Sequence, residues 1–358
     1  MDRTDIPQPL FTGVWGKTHI QGICVDEKKG FIYYSYTTCL VKAKLDGTVV
    51  GTVTGLLGHL GCIAMGPDGF VYGSLEYKMD AVGKGILAKL GSKANFAEGF
   101  YVVRFDVDRI DREGTCADGN DIMTAVYLSE AVKDYMGKGK NKKGESVPHR
   151  LGCSGIDGTT FAPLPGKTEA DGLYLYVAYG VYGDVTRADN DYQVLLCYDT
   201  SRWEEVARPL KQEAMHVSGF EVPLHKFFVY TGNTIFGVQN LEYDSLTRSI
   251  YMAVYAGKKP DFPNFPMFAV DLTVPARVET LRGVEEEGEV LTLRTDGERH
   301  EKSGVSGYRF KLGATGLYSF GDGDWLVADF RTCTGKRQCA YIFKYKYAPG
   351  KDLFLLDV

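Results

Sequence analysis

Two histidines, His19 and His59, open stretches of similar sequence: HIQGICVDEKKGFIYYSYTTCLVKAKLD from residue 19 and HLGCIAMGPDGFVYGSLEYK from residue 59. Imidazole titrates near neutrality, so a matched pair can share acid–base work or hold a divalent cation. Polar residues recur at the same point of later stretches. Gln21 follows His19 by two, Ser154 stands with Asp157, and Gln239 with Asn240. A second set occurs where the next apolar run of each stretch ends: Thr37; Glu76, Tyr77 and Lys78; Tyr179, Tyr182 and Asp184; Tyr255, Lys258 and Lys259; Asp329 and Arg331. Residues two apart on a strand point the same way, which sets His19 beside Gln21, Glu76 beside Lys78, and Asp329 beside Arg331.

These residue types suit three chemistries. β-Elimination needs a cation to neutralise a carboxylate, a base for the adjacent proton and an acid for the leaving oxygen. Arg331, Lys78 or Lys258 supply the first; His19, His59 and Tyr179 or Tyr255 supply the others. Gln21, Glu76, Gln239, Asn240 and Asp329 complete a substrate-binding set. Hydrolysis needs a carboxylate pair, for which Glu76, Asp157, Asp184 and Asp329 are candidates. A single divalent metal ion on His19, His59 and Glu76 is the third reading, with no cofactor as its alternative; ligands scattered over strands leave no diagnostic spacing. Each residue also has a plain structural use: the histidines as backbone caps, the tyrosines as packing, the cations as surface charge. Other motifs fail. GKGKNKKG lacks the form of a phosphate loop, no G-x-S-x-G elbow occurs, and DGNDIMT is too short for a calcium loop.

The elements that must position these residues recur five times. The first two copies start at residues 19 and 59, the second continuing into YVVRFDVD. The third runs from GCSGIDGTTFAPLPG to LYLYVAYGVYGD and QVLLCYD. The fourth is GVQNLEYDSLTRSIYMAVYAG with MFAVDL, and the fifth GATGLYSFGDGDWLVADF with YIFKYKY. Period-two alternation in YVVRFDVD and YIFKYKY marks strands. Three or four antiparallel strands repeating along a chain describe propeller blades. The expected fold is an all-β propeller, a single domain over residues 1–358. Five blades are visible; six or seven stay open, because 281–312 reads as outer strands or a degenerate blade. LFTGVW and DLFLLDV are expected to share one blade and close the ring, with Phe354, Leu355 and Leu356 buried. Residues 112–150 read as an insertion. In it a helix over 118–136, capped by Asp118 or Asn120 and stopped by Gly137, precedes a basic loop and offers a face for oligomerisation. GKKPDFPNFP reads as a rigid rim loop projecting Phe262 and Phe265.

On these repeats the chain resembles the broad superfamily of bacterial β-propeller proteins. It is similar, more loosely, to carbohydrate-active propellers, including polysaccharide lyases with histidine and tyrosine in a central groove. The resemblance implies a small-molecule or oligosaccharide substrate at the channel mouth. The leading expectation is β-elimination on a uronate-containing oligosaccharide. A glycoside hydrolase on the same face and a non-catalytic sugar- or protein-binding propeller are the alternatives.

Composition bounds the partners. Of 358 residues, 41 are basic and 46 acidic, a formal charge of −5 with no basic stripe, which argues against nucleic acid. No apolar run reaches the roughly 18 residues of a membrane span, and MDRTDIPQPLFTG has no apolar core of a secretory signal. The 43 glycines and 23 tyrosines fit tight turns and strands. The eight scattered cysteines, Cys333 and Cys339 among them, read as reduced thiols of a cytoplasmic protein.

Overall fold

The computed structural model describes residues 3–16, 18–119 and 121–357. Five sheets, antiparallel but for one parallel outer pairing in the first and one in the third, lie around one axis, each starting from an inner strand: Ile20–Asp26, His59–Met65, Cys153–Ala162, Ile235–Asp244 and Leu317–Ser319. Each inner strand packs beside the next, and the fifth packs beside the first, so the ring is closed. The protein is a five-bladed β-propeller. The repeats read from the sequence are these blades in order. Residues 281–312 form no sixth: Glu287–Val290, with Arg277–Thr280, extends the outer edge of blade three, and Glu298–Arg299 pairs with Ser306–Gly307 as a small hairpin.

Closure uses both ends of the chain. Leu10–Val14 pairs with one stretch of Gln338–Tyr347 in blade five, and Phe354–Leu356 with another. Phe354 is buried against Trp325, Tyr251 and Phe310. Leu355 and Leu356, expected to be buried with it, are 59% and 44% exposed, because they lie on an edge strand that covers apolar surface with Phe354 alone.

The expected helix over 118–136 is shorter. Met123–Tyr127 is a strand, paired along its length with Gly99–Phe105 in blade two, and only Ser129–Met136 is helical (called α2 below). Its β-branched and aromatic residues alternate around buried Met123 and Ala125, a pattern that overlaps helical spacing over so short a run. Asn120 lies outside the described residues. Thr115–Cys116 likewise belongs to blade one, so the insertion reduces to α2 and the hairpin of Lys138–Lys140 with Ser146–Pro148. Ala131 and Tyr135 of α2 are packed into the core between blades two and three. Phe265, expected to project from a rim, is fully buried beside Phe268.

A helix that the sequence hid, Ala81–Leu90 (α1), is inserted between the second and third strands of blade two. The Asp80 carboxylate caps it by accepting from the Gly83 N–H at 2.9 Å, and Gly91 ends it in the left-handed region at φ 68°. Gly83 and Gly85 interrupt its apolar pattern. Among the described residues no helix is long and apolar enough to cross a membrane.

Removing the Phe354 ring leaves a cavity in the seam of blade five. Phe354→Ala should therefore cost about 3–5 kcal/mol in chemical unfolding, whereas Leu355→Ala should stay within about 0.5 kcal/mol.

Candidate functional site

A cavity of about 350 Å³ opens where the inner strands of blades one to four begin. His19, Gln21, His59, Glu76, Lys78, Gln239 and Tyr255 all line it, joined by Ser154, Ile156, Asp157, Gly180, Phe236 and Val82 of α1. The repeat explains the convergence. Corresponding inner-strand starts face the axis together, and the ends of second strands lie beside them: His59 is the direct cross-strand partner of Glu76.

Glu76 and Lys78 form a buried ion pair, with Lys78 Nζ 2.6 Å from Glu76 Oε1. Blade three supplies the remaining partners. Ile156 N–H donates to Glu76 Oε2 at 3.1 Å, and Lys78 Nζ donates to the Ser154 carbonyl at 2.6 Å. Burial lifts the Glu76 carboxyl above the ordinary range although Lys78 pulls against it. Burial pulls the Lys78 ammonium down, but Glu76 and Asp80 outweigh it and the net shift is upward.

Asp157 crosses in the opposite direction, its Oδ1 accepting from the Cys62 N–H of blade two at 3.3 Å. Burial, reinforced by the charge of Glu76, drives it well above the usual carboxylate range, so it keeps a proton where an ordinary aspartate has lost it. Two glycines make room for these carboxyls. A Cβ on Gly61 would stand 2.1 Å from Asp157 Oδ1, and one on Gly155 would stand 2.0 Å from Glu76 Oε2.

The imidazoles shift the other way. Burial, then the charges of Lys78 and His19, push His59 down to about 3, so the ring is neutral at physiological pH. Its Nδ1 is buried 3.7 Å from Glu76 Oε1, and no described residue makes a hydrogen bond to it. His19 is lowered by burial and then by Lys89 of α1; its Nε2 lies 3.2 Å from Gln21 Nε2, which also donates to Thr37 Oγ1 at 2.9 Å. Tyr255 is pushed up to about 12 by burial and by Asp157. At the rim, Phe236 is 46% exposed and holds a left-handed backbone, φ 65°, while Gln239 Nε2 donates to its carbonyl at 2.9 Å.

Several sequence-derived candidates, Asp184 among them, stand elsewhere. Tyr179 is fully buried and faces α2, where its hydroxyl donates to Asp134 Oδ2 at 3.0 Å; strand alternation gives the cavity side to Gly180. Asn240 is buried among the inner strands, its amide donating to the carbonyls of Gln21 at 2.8 Å and Ala314 at 3.0 Å. Lys258 is exposed. Arg331 is exposed and spends its guanidinium on Asp329, 2.5 Å away, and neither lines the cavity. Among the described residues no group of three or more His, Cys, Asp or Glu side chains is gathered as metal ligands. A metal on His19, His59 and Glu76 does not fit, because the Lys78 ammonium holds the place beside Glu76 that the ion would take. Sequence reasoning missed Val82 and Phe236: the first sits on the hidden helix, and nothing in the run TIFG announces a left-handed aromatic.

No family model and no curated protein matches the sequence. Among solved structures the chain is similar to a glucose dehydrogenase, at 11% identity and TM-score 0.38 over 94% of this chain and 98% of that one. It is also similar to the soluble aldose sugar dehydrogenase of Escherichia coli (9%, 0.37, 92% and 98%) and to a putative gluconolactonase (10%, 0.32, 94% and 93%). Likenesses this distant carry no argument about chemistry.

Two outcomes test the electrostatics. Lys78→Met leaves Glu76 buried without its cation and should cost about 3–5 kcal/mol near neutral pH, less in acid where Glu76 is protonated. Asp157 has a folded-state pKa raised above the ordinary 3.8, so its protonated form favours the fold below that pH and the benefit is lost as pH rises. Asp157→Asn should therefore gain stability relative to the parent as pH rises from 4 to 8; unfolding curves at both ends measure it.

Proposed function

We propose that the protein is a carbohydrate-active lyase that cleaves a uronate-containing oligosaccharide by β-elimination in this cavity. One observation carries the reading: a neutral proton acceptor and a carboxyl biased toward its protonated form share the cavity. His59 is a neutral imidazole, and burial with the charge of Glu76 holds the Asp157 carboxyl well above the ordinary carboxylate range, toward the acid form. His59 takes the proton next to the substrate carboxylate, a carbon–carbon double bond forms, the C–O bond breaks, and the leaving oxygen receives the proton of Asp157. Lys78, the one cation among the described lining residues, already pairs with Glu76 and Ser154, and the substrate carboxylate shares it with them. An anion placed there offsets the charge that, after burial, holds His59 down, so the base strengthens when substrate binds. Gln21, Gln239 and Ser154 offer hydrogen bonds to sugar hydroxyls, and Phe236 offers a ring face at the rim.

Hydrolysis has a narrower footing. Of Glu76, Asp157, Asp184 and Asp329, only Glu76 and Asp157 line the cavity, and Glu76 is engaged by Lys78 and Ile156. A concave, mainly apolar pocket with a few convergent polar groups, rather than a flat aromatic face, favours catalysis over plain binding.

The test is incubation with uronate-containing oligosaccharides. Elimination gives an unsaturated, ultraviolet-absorbing product, and His59→Ala should lower kcat by about 10²–10⁴ with thermal unfolding unchanged. New reducing ends without absorbance, or binding without turnover, would overturn the lyase reading.

A further inference from the structure

Blade five ends in a hairpin whose two long strands, Asp324–Thr332 and Gln338–Tyr347, pair to the last residue: Arg331 with Cys339 and Thr332 with Gln338. Beyond them the Cys333 N–H donates to the Arg337 carbonyl at 2.7 Å. Residues two apart on a strand share a face, so Cys333 and Cys339 are diagonal neighbours on one side of the hairpin. The turn between them is tight, with Gly335 and Lys336 both at positive φ. Their sulfurs stand 2.6 Å apart, against about 2.05 Å for a bonded pair.

We propose that Cys333 and Cys339 are a redox-active dithiol that closes to an intramolecular disulfide on meeting a low-molecular-weight disulfide. Cys333, half-buried, is the accessible partner; Cys339 is only 2% exposed. The Cys333 thiolate attacks one sulfur of the oxidant and releases one small thiol, leaving a mixed disulfide. Cys339 then loses its proton, attacks the Cys333 sulfur and displaces the second small thiol. Two protein thiols are oxidised by two electrons, and one small disulfide is reduced to two thiols. Burial and Cys333 push the Cys339 thiol up to about 11, which suits it to the second, resolving step, where the neighbouring sulfur is already in contact. Lys336 and Arg337 in the turn place positive charge beside the pair and suit an anionic oxidant such as oxidised glutathione.

The cross-link falls at the seam of the ring. Val14 pairs with Cys339, the Trp15 N–H donates to the Gln338 carbonyl, and the Gln338 N–H donates to the Gly16 carbonyl. The other strand of the hairpin, Asp324–Thr332, carries Phe330, whose ring centroid lies 5.6 Å from that of His19 at the cavity. The disulfide therefore fixes the hairpin tip between the closing strand and the cavity wall.

The chain supplies its own assay, because Lys336 and Arg337 separate the cysteines and trypsin cuts at both. The full-length protein is reduced, desalted, incubated with oxidised glutathione, denatured in acid, alkylated and digested without reductant. The expected product is TCTGK (residues 332–336) joined to QCAYIFK (residues 338–344), lighter by two hydrogens than the two peptides together and released by dithiothreitol. Cys339→Ser should instead trap glutathione on Cys333. Recovery of both peptides singly alkylated, or a lasting glutathione adduct on Cys333 in the parent protein, would overturn the proposal.

Discussion

The burial of Glu76 and Lys78 is the constraint on which the rest of the structure turns. A buried ion pair repays its desolvation only when every remaining donor and acceptor is engaged. Blade two cannot engage them alone. Ile156 N–H and the Ser154 carbonyl come from the inner strand of blade three, and blade three in turn hands Asp157 to the Cys62 N–H. Ser74 Oγ of blade two adds a bond to the Asp157 carbonyl oxygen at 2.5 Å. The clasp between two blades and the wall of the cavity are therefore the same atoms. Gly61 and Gly155 are required there, since any side chain would occupy the space of the carboxyl that crosses over.

Similar stitches run round the ring. Ser35 Oγ donates to the Gly61 carbonyl between blades one and two, and Tyr243 N–H donates to Thr160 Oγ1 between blades four and three. Ser319 N–H meets Glu242 between blades five and four, and Asn240 reaches blades one and five together. The inner wall is thus polar by construction. Burial, joined by the charges of Glu76 and Asp244, raises the Asp157 and Glu242 carboxyls well above the range of surface carboxyls, against the backbone hydrogen bonds they accept.

Much of this was legible in the sequence, because the repeat fixes equivalent positions. His19 and His59 open matching strands, and the i, i+2 rule was enough to set Glu76 beside Lys78 and both near His59. Longer-range choices were not legible. Whether Tyr179 or Gly180 faces the axis depends on register shifts between Cys153–Ala162 and Tyr174–Val181, which no single strand encodes. Arg331 and Lys258 have long side chains beyond or near strand ends, and solvent or a neighbouring carboxylate claims them first. The strand at Met123–Tyr127 reads as helix and the helix α1 leaves no clear signal, for opposite reasons. One has apolar spacing that fits both periods, and the other carries glycines that blur a helical one.

The seam in blade five also sets an order of assembly. Leu10–Val14 is synthesised long before its partners, Ile342, Tyr341 and Cys339. Until they emerge, the early strand has no partner and blade five, though its inner strand Leu317–Ser319 is already made, lacks its outer strands. The intermediate blades, whose strands are neighbours in sequence, can form in passing, but closure waits for contacts spanning nearly the whole chain. Such non-local pairing is slow and leaves strand edges exposed while it is pending. A growing propeller of this kind is an open arc, and it becomes a ring only once Gln338–Tyr347 can pair with Leu10–Val14.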